Sequence, residues 1–263
     1  MPTLAAIPTG MTTTMMTVII VMTSTIITTD ISTMVTTITT DMNTLQWLQL
    51  LQLTSPSLPI GGFAWSQGLE SAIEQNWLQG EADFANWVEG VLQHNFTWQE
   101  LPLLARLYQA AVADDMTVLK NWNDVALALR ETSELRNEDV QMGGALLKLM
   151  RDLQYPFALR WQSNEISYIA AFAIACAHHQ IPLSQACTGF VWSWLENQIA
   201  AALKLFPLGQ TAGQRVFQQI APLIPAVLEH AQQVQDDEIG FSLPGLILAS
   251  MQHEEQYSRL FRS

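Results

Sequence analysis

The sequence predicts an all-α fold: a single globular multi-helix domain of about nine or ten helices. Three observations lead there. Apolar residues return at three- and four-residue steps, as in Leu101, Leu104, Ala105, Tyr108 and Val112, and again in Val191, Leu195, Ile199, Ala202, Leu203 and Phe206. No stretch alternates apolar and polar residues between hairpin turn signals. Capping residues and prolines fall at the ends of the periodic runs.

Taken in order, helical runs are expected over about 44–53, 66–77 and 82–96, then at the first stripe, then over 117–130, 133–153 and 164–180. The second stripe follows, with further runs at 212–235 and 244–256. Pro59 stops the first helix, and Gly61-Gly62 admit backbone angles closed to other residues. Ser66 is placed to cap the next run, which passes through Leu69, Ile73 and Trp77. Pro102 sits where first-turn amides have no internal partner. Arg130 and Glu134 are spaced as an i,i+4 ion pair. Gly143-Gly144, at roughly 1 kcal/mol each inside a helix, call for an offset, either a close helix approach or a local break. Asn164 caps the run after it; Pro156 and Pro207 close others, and Pro222 and Pro225 kink or divide theirs.

Residues 1–44 differ from all that follows: sixteen are threonine, seven are methionine, and none is aromatic, Lys or Arg. The apolar stretch Met15–Ile27 is interrupted by threonines and shorter than the roughly 20 residues a membrane helix needs. A secretory signal lacks its basic start. Residues 1–43 are therefore expected to be a low-complexity leader arising from a gene-start error, with Met42 the natural start and residues 44–263 the helical domain. The competing reading, a membrane-associated helical protein, rests on this leader alone.

The net charge of −13 removes the cationic surface that non-specific nucleic-acid binding needs. Two cysteines, Cys176 and Cys187, build no disulfide framework, which suits a reducing cytoplasm. No lysine follows a glycine, so a phosphate loop is absent, and Gly62, Ser66 and Gly68 lack nucleophile-elbow spacing. His253-Glu254 lacks the second histidine of a zinc-protease helix. Cys176 and His179 share a helix face, with His178 about 100° away, which is half a metal site or a buried thiol beside helix-end imidazoles. The chain is expected to be no enzyme, with no cofactor and no metal site of its own. A metal-dependent helical enzyme using Cys176 and His179 is the alternative.

The last six residues, Ser258-Arg259-Leu260-Phe261-Arg262-Ser263, place an apolar pair between two arginines. Only four basic residues follow Arg160, and two are here. Such an end suits docking in a partner's groove, or folds back on its own core.

Four segments together resemble the UreF family of urease accessory proteins. They are Leu58-Pro59-Ile60-Gly61-Gly62-Phe63 with Ser66-Gln67-Gly68-Leu69-Glu70; Ser133-Glu134-Leu135-Arg136 with Gln141-Met142-Gly143; Leu205-Phe206-Pro207-Leu208-Gly209-Gln210-Thr211 with Gly213-Gln214-Arg215; and Ala249-Ser250-Met251-Gln252-His253-Glu254 with Tyr257 to Ser263. Lys204 and Ala212 depart from the arginine and the acidic residue more usual there. The resemblance implies a cytoplasmic, homodimeric, all-helical assembly factor that binds UreD (also called UreH), recruits the GTPase UreG, and serves nickel insertion and nickel cation binding in the maturation of apo-urease. By that analogy Tyr257, Ser258, Arg259, Leu260, Phe261 and Arg262 dock the partner, joined by Gln210, Gly213, Gln214 and Arg215. Ser133, Glu134, Arg136 and Gly143 face a dimer partner or the GTPase. Deleting residues 254–263 is expected to leave folding intact and abolish co-purification with UreD.

Overall fold

The computed structural model describes residues 42–263 apart from Asn164 and Ser242; the leader and the proposed Asn164 cap lie outside the described residues. Helices are the only regular secondary structure among those described. Helix α1 (Thr44–Leu53) opens with a capping box: Asn43 Oδ1 accepts the Gln46 amide at 3.0 Å, and Gln46 Oε1 accepts that of Asn43 at 2.9 Å. After the Gly61–Ala64 corner comes α2 (Leu69–Glu74), then α3 (Glu81–Gly90), a π-helical stretch (Val91–Glu100) and α4 (Leu101–Val112). These last three run on without a break, so the 82–96 run and the first stripe form one long rod. The π segment between them has no sequence signature of the kind periodicity detects.

Helices α5 (Met116–Ala128), α6 (Ser133–Asp152), α7 (Pro156–Arg160) and α8 (Tyr168–His178) follow. Ser167 caps α8, accepting the Ala170 amide at 3.2 Å. Every residue from Ile169 to Cys176 is buried, as expected of a helix apolar all round. Helix α8 is the axis of the domain: α4 and α6 flank it, and α1, α5, α7 and α9 (Leu183–Leu205) also pack on it. Pro222 and Pro225 divide the 212–235 run into α10 (Gln210–Ile220), a 3-10 turn and α11 (Ile224–Ala231). The last helix is α12 (Pro244–Glu254). No described helix is long and apolar enough to cross a membrane.

The Arg130–Glu134 pair is not formed. Thr132 caps α6, its hydroxyl accepting the Leu135 amide at 3.2 Å, which leaves Arg130 in the preceding loop. From there Arg130 reaches Asp139 and Glu100 instead. Both members of the predicted pair thus belong to separate buried networks.

Candidate functional site: a clamped C-terminal tail

Three helix ends converge beneath the tail. Gly68, with φ +76°, brings α2 against α12 so closely that a Cβ there would stand 3.0 Å from the Ser250 nitrogen. Glu70 lies in the first turn of α2, Glu134 in the first turn of α6, and His253 in the last turn of α12. These positions suit their charges, because helix dipoles favour acids at the N-terminus and imidazoles at the C-terminus. The His253 ring, fully buried, faces Glu134 through Nδ1 at 2.8 Å and Glu70 through Nε2 at 3.3 Å.

The tail adds its backbone to this constellation. The Leu260 and Phe261 amides donate to the two Glu70 oxygens at 2.7 and 2.8 Å. Arg262 N–H donates to the Ala64 carbonyl, and Ser66 N–H to the Ser263 carbonyl, each at 2.8 Å. The Ser66 hydroxyl also donates to that carbonyl. Arg259 Nη1 meets Glu134 at 2.8 Å, so residues assigned from sequence to two different surfaces share one ion pair. Phe261 is buried, with Lys204 Nζ 5.2 Å from its ring centre, while Arg262 lies over Trp65 and donates to Gln141 at 3.2 Å. Tyr257, Ser258 and Leu260 stand exposed, as do Arg259 and Arg262 while they make these contacts.

This arrangement alters one expectation. A chain cut after His253 loses Phe261 from the core and strips the amide donors from the buried Glu70 carboxylate. Leaving such an acceptor unpaired costs on the order of 1–3 kcal/mol, more for a charged group, so the truncation should lower folding stability as well as docking.

The other predicted residues fall in three groups. Ser133 donates to Glu254 at 2.6 Å, and Arg136 pairs with Glu165 at the surface. Arg215 pairs with Glu81 across to α3, while Gln210 and Gln214 are exposed at the start of α10. Gly213 and Gly143 face inward. A Cβ on Gly213 would stand 2.9 Å from Ile199 Cγ2 of α9; one on Gly143 would stand 2.2 Å from the Ile166 carbonyl oxygen and 2.6 Å from the Ser167 carbonyl carbon. Close approach thus offsets the cost of Gly143, although the neighbour is the extended segment leading into α8. Gly144 has open space around it.

Beside the clamp lies a recess of about 260 Å³ under the 55–63 corner. Gln67, at φ +54°, links the two: its amide donates to Glu138 at 2.8 Å and its oxygen accepts Trp194 Nε1 at 2.9 Å. Ser263 Oγ donates to the other Glu138 oxygen at 3.3 Å. Burial pushes the Glu138 carboxyl up to about 7, against the lowering influence of Gln67, Arg130 and Ser263. Elsewhere, the Cys176 thiol is wholly buried and its pKa raised by that burial. His179 Nε2 and Tyr155 Oη are 2.7 Å apart, and His178 stacks on the same tyrosine. Burial lowers the pKa of both imidazoles.

The family model described as UreF matches residues 78–221. "Urease accessory protein UreF" of Marinobacter nauticus is 49% identical over 216 residues, covering 82% of this chain and 94% of the relative. The proteins of the same name from Pseudoalteromonas translucida and Hahella chejuensis are 47% and 45% identical, over 94% and 97% of their lengths. The chain belongs to the UreF family.

In this UreF-family chain, sequence reasoning gave Glu70, Gln67, Glu138 and His253 no task, although all but Glu138 stand in the quoted motifs. Their partners lie roughly 70 to 190 positions away, beyond the reach of any local pattern. The helix that carries Glu70 is also shorter than the expected 66–77 run, spanning Leu69–Glu74. Gly143 gives a direct test of packing against surface function. Gly143→Ala should lower unfolding free energy by about 1–3 kcal/mol, since the intruding methyl meets backbone rather than a flexible side chain. A urea titration showing wild-type stability would refute the close approach, whereas Gly144→Ala should be neutral or stabilising.

Proposed function

We propose that the chain is a scaffold for urease assembly in the cytoplasm. It binds UreD, the pair recruits the GTPase UreG, and the complex delivers nickel to apo-urease; the chain itself performs no catalytic chemistry. Family membership is the observation that carries this reading. Two features of the molecule support it. The tail is held rigidly by its backbone while Tyr257 and Leu260 stand exposed, beside the exposed Leu248 and Met251 of α12. Apolar side chains presented in this way are typical of surfaces that partners cover. Leu45, Trp47, Leu48 and Leu51 likewise leave an apolar stripe on α1 open, a surface of the sort a second copy buries in a homodimer.

The test uses outward residues, so that the clamp is left alone. Tyr257→Asp with Leu260→Asp, co-expressed with UreD and UreG, should retain the wild-type melting temperature and lose at least tenfold in co-purified UreD. Undiminished capture of UreD by that variant would remove the tail from the docking surface.

A further inference from the structure

We infer that the recess under the 55–63 corner is a binding site for a small organic cation, an amine or guanidine on a short alkyl chain. Its volume, about 260 Å³, equals that of roughly nine liquid waters, enough for a molecule of similar heavy-atom count. Among the described residues, the carboxylates of Glu100, Glu138, Asp139 and Glu196 line it, against one guanidinium, that of Arg130. That guanidinium is already committed to Glu100 and Asp139. The field inside is therefore negative, and low-dielectric walls strengthen it.

The walls select the kind of cation. Phe96 and Trp194 pack with ring centres 4.6 Å apart, and Phe190 stacks with Tyr168 at 5.8 Å; all four border the recess. Aromatic faces hold alkylammonium and guanidinium groups and accommodate their methylenes. A bare divalent ion requires several convergent oxygen, nitrogen or sulfur ligands, and no group of three or more such side chains able to hold one occurs among the described residues. Two acceptors remain for the charged head. Asn95 Oδ1, buried on the π-helical stretch, has no hydrogen-bond partner among the described residues. Among the described residues Glu138 accepts only from the neutral Gln67 amide and Ser263 hydroxyl, leaving lone pairs unused. The π stretch is what turns Asn95, Phe96, Gln99 and Glu100 toward one space, and such stretches recur at functional sites.

Agmatine, with the neutral butylurea as control, serves as the probe in calorimetric titration of the full chain. At about pH 8 agmatine should bind saturably, one per chain, and at least tenfold more tightly than butylurea. Glu138 feels Asp139 on its own helix and Arg130 from the preceding loop and accepts from the Gln67 amide and the Ser263 hydroxyl, while Glu100, Glu131 and Glu196 line the same recess. The Glu138 carboxyl, titrating near 7, holds a proton at about pH 5.5, where binding should weaken at least tenfold. Glu138→Gln should reproduce that weakening at about pH 8. The pH comparison uses unaltered protein and stands even if the variant folds poorly. Failure to saturate at millimolar agmatine, equal binding of butylurea, or affinity unchanged between the two pH values would each overturn the assignment.

Discussion

Arg130→Met should cost about 3–5 kcal/mol of folding stability, because it removes one partner of a buried ionic triad and leaves the others uncompensated. The Arg130 side chain is 14% exposed, and Glu100 and Asp139 are 7% exposed each. Its Nε donates to Asp139 at 2.9 Å, Nη2 donates to Glu100 at 3.0 Å, and Nη1 donates to the other Glu100 oxygen. The two acids raise the pKa of the guanidinium against the opposing effect of burial. Even with this partner present, burial lifts the Asp139 carboxyl above its usual range. Without Arg130 that lift grows, because the guanidinium that opposed it is gone. A carboxyl whose folded pKa exceeds its unfolded value favours the fold below the unfolded value and loses that benefit as pH rises through the folded one. The deficit of the variant should therefore be largest at about pH 8 and smaller at about pH 5. Urea titrations at both pH values check this; a loss below about 1 kcal/mol, or one equal at both, would show that the triad is not buried in solution.

Arg130 also shows what a sequence conveys and what it hides. Helical periodicity is local, so the long stripes, the proline division at 222–225 and the span of α6 could be read directly. Whether Arg130 belongs to a helix depends on a single cap, Thr132, and moving the start by a few residues exchanges one ion partner for two others. The π stretch escapes for a similar reason: a small change in winding leaves composition untouched while redirecting Asn95 and Glu100. The tail stood out as unusual because arginines are scarce near that end. Its direction was not legible, since Glu70 and Glu138 lie nearly 200 and more than 120 residues upstream of the groups they hold. Gly143 was legible as costly, yet the neighbour that offsets its cost was not.

Phe261→Ala should release the tail. Truncating a buried phenylalanine costs about 3–5 kcal/mol when the surroundings cannot yield. Here they can: the last residues are free to detach, so the global loss is limited to what docking of the tail contributes, and the remainder appears as local opening. In hydrogen exchange, the amides of Leu260, Phe261 and Arg262 should lose at least tenfold in protection, while amides of α8 keep nearly all of theirs. Detachment also leaves Glu70 facing His253 without the two tail amides, so the segment of α2 around it should open more readily. Wild-type tail amides exchanging like those of an unstructured peptide would defeat the clamp. The comparison with Leu260→Asp then separates holding from presenting. Leu260 is 62% exposed, so its replacement should preserve tail protection and, on the docking proposed above, lower capture of UreD. Phe261→Ala should lower both, because a surface carried on a detached tail must be ordered again at every encounter.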